Sequence, residues 1–454
     1  EGRDRAASLE ALELAARLGG RVDRREWQDV CERRGVRLPR DIEGSLVESG
    51  LARVIPMGFG FCHALLRESL ERSAERNQRA VAHHRPCAAM LEQRFADLAA
   101  TAERLAHHLY VAGAPEAAIH HLDRAIAFRF ERGDFDRVDH LLEQREAALA
   151  EALGTTSTGN DPRHVTGELW RIRVLLARDE FESAARVLRR TEGVAHVHRD
   201  IASLCQLHAE LRWARGQMVE AADLARGAQK QFEALDDPVA AADCRRIVVK
   251  CNLESRGDFR EALSEARLAR EVYVEAHDLD RIAECDYLEA KILTELLDFD
   301  GAKHACAAAR SHHDGQGHRL GGARCENQWG EIARLQGELE TAEQSYLRAA
   351  ALLEAMGSEA AAGVRLNLAI VLVARGRYRR AERELVELRE QMTKRGHERA
   401  LGFIDYALLP CLASEGKWSE LDALLGHAAR RVPAEGRVDK NFAALAEKAA
   451  DLAM

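Results

Sequence analysis

The segment Arg256-Gly257-Asp258-Phe259-Arg260-Glu261-Ala262 decides the reading of this chain, because near-copies of it recur along most of the sequence. Each copy runs from a turn-forming residue through a polar one to a large apolar one, then two more residues and a small or apolar one. The copies are Asp179-Glu180-Phe181 with Ala184, Gly216-Gln217-Met218 with Ala221, Asp298-Phe299 with Ala302, Gly337-Glu338-Leu339 with Ala342, Gly376-Arg377-Tyr378 with Ala381, and Gly416-Lys417-Trp418 with Leu421. From Phe181 to Trp418 the large residues are spaced by 37, 41, 40, 40, 39 and 40 positions. A fixed period of this length marks a stacked array of supersecondary units.

One unit follows from local chemistry. A glycine takes the left-handed conformation that ends a helix. The Asp, Glu or Gln after it favours the start of the next. The large residue is expected to fill the gap between the two helices, and the small one three places on lets them approach. A single hairpin of this kind cannot bury its apolar face, so its neighbours must complete it. This pattern resembles the tetratricopeptide repeat, whose second helix opens on a Gly-Asp-Tyr-x-x-Ala run. The period here is longer than that family's ~34 residues. The resemblance implies an all-α fold, a right-handed tetratricopeptide-like α-solenoid.

Composition agrees with helix. The 454 residues are 46% hydrophobic but only 5% aromatic, with 8 prolines. The 66 basic and 75 acidic side chains leave a net charge of −9, which gives no general attraction for nucleic-acid phosphate. No apolar run approaches the ~20 residues that span a bilayer, so no membrane partner is expected. The chain opens on Glu1 and reads as a segment of a longer polypeptide.

The 10 cysteines lack C-x-x-C pairs, which points to a reducing, cytoplasmic setting. Cys205, Cys244, Cys285 and Cys325 are spaced by 39, 41 and 40, one per repeat. Equivalent helices lie on the order of 16–20 Å apart, beyond the ~7 Å between Cα atoms that a disulfide spans. This column is therefore expected to be packing. The 19 histidines include the doublets His83-His84, His107-His108, His120-His121 and His312-His313. Helical neighbours point roughly 100° apart, so one doublet does not chelate a metal, and these histidines are expected to be solvated or interfacial. No H-E-x-x-H, nucleophile elbow or phosphate loop occurs, so no metal site, no cofactor within this segment and no enzymatic activity are expected.

Three regions are expected. Residues 1–75 lie outside the repeat: helices are predicted over Ser8–Leu18 (with Leu9, Leu12, Ala15 and Ala16 on one face), Arg24–Arg34 and Asp41–Glu48, then two short strands, Leu51–Ile55 and Phe59–Cys62, around a tight turn. Three helices and a hairpin make a winged helix, and no other β-structure is expected. Residues 76–153 form an irregular helical connector. Gly154–Pro162 is a polar, turn-rich break expected to act as a hinge. Residues 163–454 carry the regular array, ending in a capping helix from Asn441 to Ala453.

The run Phe59-x-Phe61-x-His63-x-x-x-Arg67-Glu68, after Leu46, Gly50 and Leu51, resembles the winged-helix end of the signal-transduction ATPases with numerous domains, the group of maltose-activator-type regulators and kinase–ATPase fusions. In that family a nucleotide module precedes the winged helix and a helical repeat arm follows it. The resemblance implies a bacterial regulatory arm with ATP or ADP bound only by the full-length protein, and a nucleotide-binding module of the same polypeptide as partner. It implies that His63 stands near the nucleotide phosphates; the alternative is a histidine that caps the hairpin. The predicted third helix is acidic, which argues against DNA binding.

In a tetratricopeptide-like array the first helix of each pair lines the concave face. Counting back from the large residues places Trp213, Tyr287, Lys291, Arg324, Asn327, Glu331, Arg334 and Tyr406 there. Aromatic, arginine and amide groups suit capture of a peptide, a protein segment or a small inducer. The alternative is that the aromatics seal helix contacts and the charges are solvated. Two functions follow: a sensor arm that relays binding to the nucleotide module, with oligomerisation on activation, or a constitutive scaffold that gathers proteins without switching.

Overall fold

A computed structural model describes residues 2–95, 98–155, 159, 161–255, 257–315, 317–358, 360–395, 397–431 and 440–453. Two compact units divide the chain, Glu1–Arg215 and Gly216–Met454.

The first unit opens with α1 (Gly2–Leu18), β1 (Arg21–Asp23), α2 (Arg24–Arg34), α3 (Ile42–Glu48), β2 (Ala52–Ile55) and β3 (Gly58–Phe61). It continues with α4 (Ala64–Arg76), α5 (Ala80–Phe95), a 3-10 turn (Ala99–Thr101), α6 (Ala102–Val111), α7 (Pro115–Glu131), α8 (Phe135–Leu153), α9 (Pro162–Ala177), α10 (Phe181–Glu192) and α11 (His198–Ala214).

The short sheet has three strands rather than the two expected, in the antiparallel order β1-β3-β2. Three residues are too few to show alternation in a sequence, and in β1 only Val22 is buried. Gly58 allows the extra strand. A Cβ there would lie 2.2 Å from the Val22 carbonyl oxygen. Trp27 anchors the core behind the sheet: its indole N–H donates to the Ala11 carbonyl at 2.7 Å, and its ring meets Phe59 edge-on at 5.2 Å. The buried face of α1 is Ala11, Leu14, Ala15 and Leu18, whereas Leu9 is 39% exposed. Cys87, Met90 and Leu91 of α5 and Leu105 of α6 close the same core.

The expected break at 154–162 lies partly outside the described residues. Of its described ends, Gly154 closes α8 with φ 63°, and Asp161 caps α9 by accepting from the Arg163 amide.

The second unit contains α12 (Met218–Ala234), α13 (Pro238–Glu254), α14 (Phe259–Glu275), α15 (Leu279–Glu295), α16 (Phe299–Gly315), α17 (Arg319–Leu335), α18 (Leu339–Ala355), α19 (Ala361–Ala374), α20 (Tyr378–Arg395), α21 (Glu398–Ser414), α22 (Trp418–Arg431) and α23 (Lys440–Ala453). From α12 to α22 successive helices pack on one another, α23 packs on α21, and α13 and α15 each also reach the next odd-numbered helix. In α23, Leu445 and Ala449 complete the apolar clusters of the last pairs.

Every large repeat residue is the first residue of its helix: Phe181, Met218, Phe259, Phe299, Leu339, Tyr378 and Trp418, joined by Phe135 of α8. Their depth corrects the expectation that they fill the gap between helices. They are half-buried lids, and Trp418 is 43% exposed. The deep position is three residues on, where Val138, Ala184, Ala221, Ala262, Ala302, Ala342 and Ala381 all have no exposed surface. A methyl group is what the close helix crossing admits. Asp258 shows how such a helix starts: its carboxylate accepts from the amides of Arg260 and Glu261 at 2.8 and 3.1 Å.

Candidate ligand-binding site

The cysteine column fixes the register of the first helices in the second unit. Cys244, Cys285 and Cys325 are buried at matching positions of α13, α15 and α17. One residue before them stand Asp243, Glu284 and Arg324; two after, Arg246, Tyr287 and Asn327; six after, Lys250, Lys291 and Glu331. Steps of three and four residues keep these positions on one helical stripe. The stripe is thus polar and charged on three successive first helices, and Asn367 extends it onto α19.

These side chains form several local groups of contacts. Arg324 grips Glu284 with both terminal nitrogens, at 2.8 and 3.2 Å, while its guanidinium lies 4.3 Å from the Tyr287 ring centroid. Lys250 approaches the same carboxylate at 3.7 Å. Tyr273 donates to Asp243 at 2.8 Å, and Arg281 and Arg246 each reach that carboxylate at 3.0 Å. Asn367 donates its amide to the Asn327 side-chain oxygen at 3.2 Å. Glu331 receives Arg334 at 2.5 and 2.9 Å and the Tyr346 hydroxyl at 2.7 Å.

Burial pushes the Glu284 carboxyl toward protonation, but Arg324, Lys250 and Arg246 outweigh it and hold the group well below the usual carboxylate range. Burial opposes ionisation of Glu331 as well, and there the Arg334 hydrogen bond prevails and lowers it.

The eight residues selected from the sequence therefore differ in what they can offer a ligand. Arg324, Asn327 and Lys291 line the stripe. Among the described residues no carboxylate pairs with Lys291. Tyr287 is only 8% exposed and serves as the platform under Arg324. Glu331 and Arg334 satisfy each other. Tyr406 is half-buried against the cluster of Leu409, Ala413 and Ala449 near the C-terminal helix. Trp213 belongs to the first unit, half-buried at the end of α11. His63 immediately precedes α4 with its side chain exposed and makes no side-chain capping bond. Asn367, Arg246 and Lys250 were missed by counting, although Cys244 of the column locates Arg246 and Lys250 and one further repeat locates Asn367.

The histidines need a correction. His83, His84, His108, His121 and His313 are buried rather than solvated. Doublets from α5 and α6 face each other, with Nδ1 of His84 and Nδ1 of His108 2.9 Å apart and the His107 ring 5.3 Å from that of His84. Burial lowers all three, His84 to about 3, so the rings are held neutral. One helix separates its two histidines; two packed helices bring them back together. Among the described residues no group of three or more His, Cys, Asp or Glu side chains is placed to hold a metal ion. Nor is any described helix long and apolar enough to cross a membrane.

No family model matches this chain, and no curated protein matches it by sequence. Solved structures do. A signal-transduction ATPase with numerous domains and a tetratricopeptide repeat sensor, from Pyrococcus horikoshii, superimposes with a TM-score of 0.61 at 14% identity over 98% of this chain. This chain spans 64% of that protein's length. A Rap protein complexed with competence and sporulation factor gives a TM-score of 0.56 at 14% identity, covering 74% of this chain and 97% of the Rap protein. Likeness at this identity speaks for the fold: a tetratricopeptide-like α-solenoid with a small N-terminal region that carries a short sheet.

Proposed function

We propose that this chain is a non-catalytic sensor arm that binds an extended peptide or protein segment across α13, α15, α17 and α19. The observation that carries the reading is the polar stripe itself, above all the amide pair Asn327–Asn367 beside Arg324 and Lys291. A side-chain amide presents one donor and one acceptor, the same pair that a peptide group presents, so a row of amides fits an extended backbone regardless of its sequence. Arginine and lysine beside it add charge selection. The solenoid relatives support a sensing role by analogy of fold: one is a tetratricopeptide sensor, the other a complex with a named factor.

The finer reading places residues 1–75 as a winged helix that joins the arm to a nucleotide-binding module, with His63 toward ATP or ADP phosphates in the full-length protein. The exposed His63 side chain supports it, since it is not committed to a contact within the chain.

Panning random dodecapeptides against the purified chain tests the arm. Enriched peptides are expected to bind the wild type and to lose at least about tenfold in affinity on Asn327→Ala, the cost of about 1.4 kcal/mol for a lost pair of peptide hydrogen bonds. Enrichment that ignores Asn327, Asn367 and Arg324 alike overturns the reading. In the full-length protein, a bound peptide that changes nucleotide exchange marks a switch, and one that leaves it unchanged marks a constitutive scaffold.

A further inference from the structure

The sequence column treats Cys325 as packing. A different cysteine reaches it. Cys306 of α16 points its thiol at the Cys325 carbonyl and donates to it, Sγ to O 3.4 Å. Both are buried, yet both line a pocket of 450 Å³ whose other walls include Trp329, Arg310, Glu326 and Arg348. Glu326 is nearly inaccessible and sits between the two guanidinium groups, bonded to Arg310 and, at 3.1 Å, to Arg348. A packing cysteine needs neither a second thiol nor an opening.

We propose that Cys306 and Cys325 form a dithiol modification site whose co-reactant is hydrogen peroxide. The pocket has ample room for so small a molecule, and the thiol-to-carbonyl bond sets the roles. Cys306 keeps its proton on the Cys325 carbonyl, whereas Cys325, with the cationic Arg324 and Arg310 nearby, is the thiol that ionises. Cys325 gives its proton to solvent, and its thiolate attacks one peroxide oxygen. The O–O bond breaks, hydroxide leaves and takes up a proton, and the sulfur becomes a sulfenic acid. Cys306 then attacks that sulfur, its proton leaves with the sulfenic oxygen as water, and the S–S bond forms. Two thiols lose two electrons in total, and one peroxide becomes two waters. Because Cys325 directly follows Arg324, the bond ties α16 to the helix that presents Arg324 and Asn327.

The test treats the whole purified chain with hydrogen peroxide, alkylates remaining thiols and maps tryptic peptides without reductant. The expected product joins His304–Arg310 to Cys325–Arg334, two hydrogens lighter than the separate peptides, and dithiothreitol reverses it. Cys306→Ser is expected to stop at a Cys325 sulfenic acid that dimedone traps, and Cys325→Ser to leave Cys306 alkylatable. Cys285→Ser, at the same buried column position, is expected to change nothing. Full alkylation of Cys306 and Cys325 after peroxide, while exposed Cys62 is oxidised, overturns the proposal. So does a link that forms only in denatured protein.

Discussion

The cluster around Glu284 in the second unit and the one around His84 in the first bury polar groups in opposite ways. Around Glu284 every buried charge has a counter-charge, so the carboxylate is ionised and held there by Arg324, Lys250 and Arg246. Around His84 the buried groups are one another's equals: neutral imidazoles from α5 and α6 share a hydrogen bond, with cationic Arg17 nearby adding to the cost of a proton. Burial alone drives a base toward neutrality, whereas burial with a partner fixes charge. Both regions weaken in acid, but over different ranges. His84, with a folded value near 3 against an ordinary 6.5, binds protons more readily in the unfolded chain, so stability falls as pH drops below 6.5. Glu284, depressed from 4.5, keeps its contribution until the pH falls below that value toward its lower folded one.

The largest expected effect separates the two regions directly. Each fully buried histidine costs up to about 1.4 kcal/mol per pH unit, so His84 and His108 together remove several kcal/mol between pH 7 and pH 4. Hydrogen exchange, corrected for its intrinsic pH dependence, is expected to accelerate over residues 80–111 at pH 5 and to stay unchanged over α15. Equal acceleration in both would erase the distinction.

Next comes Glu284→Gln, which removes the shared counter-charge of three cations. It is expected to cost about 3 kcal/mol at pH 7, read as a lower urea midpoint for the second unit. Below pH 4 the gap between variant and wild type narrows; a gap that is constant with pH refutes the ion-pair account.

Gly330→Ala sharpens the picture of the same region by geometry alone. The new Cβ would stand 2.8 Å from the Tyr346 ring, which must shift and drag its hydroxyl from Glu331. About 2 kcal/mol of destabilisation is expected. A thermal midpoint like that of the wild type would mean that the ring moves freely.

The smallest effect concerns the turns. Leu297, 66% exposed, holds the left-handed conformation at φ 62°, in the repeat position that Gly216, Gly337, Gly376 and Gly416 occupy elsewhere. Leu297→Gly relieves the backbone but loosens the unfolded chain, for a net gain of about 0.5 kcal/mol. Destabilisation instead would assign the Leu297 side chain a packing role.

Much of the fold was legible because it is local. The 40-residue spacing from Phe259 to Phe299 to Leu339 located the start of each second helix, and Ala262, Ala302 and Ala342 marked the deepest positions even though the large residues drew the eye. Gly35 and Gly50 ended their helices as read. What escaped had no local signal. β1 needs Gly58 from a distant hairpin; Tyr287 reads as an aromatic anchor until Arg324 is seen lying over it; His84 and His108 are 24 residues apart and meet only when α5 packs on α6.

By itself the sequence determined the helical hairpins, their period and which stripe of each first helix is polar, because turns, caps and close helix crossings depend on residues within a few positions of each other. Only the tertiary structure decided which polar groups are already satisfied by a neighbour and which, such as Lys291, have no carboxylate partner among the described residues. Whether a polar group is paired turns on distances between helices, set by packing rather than by any motif.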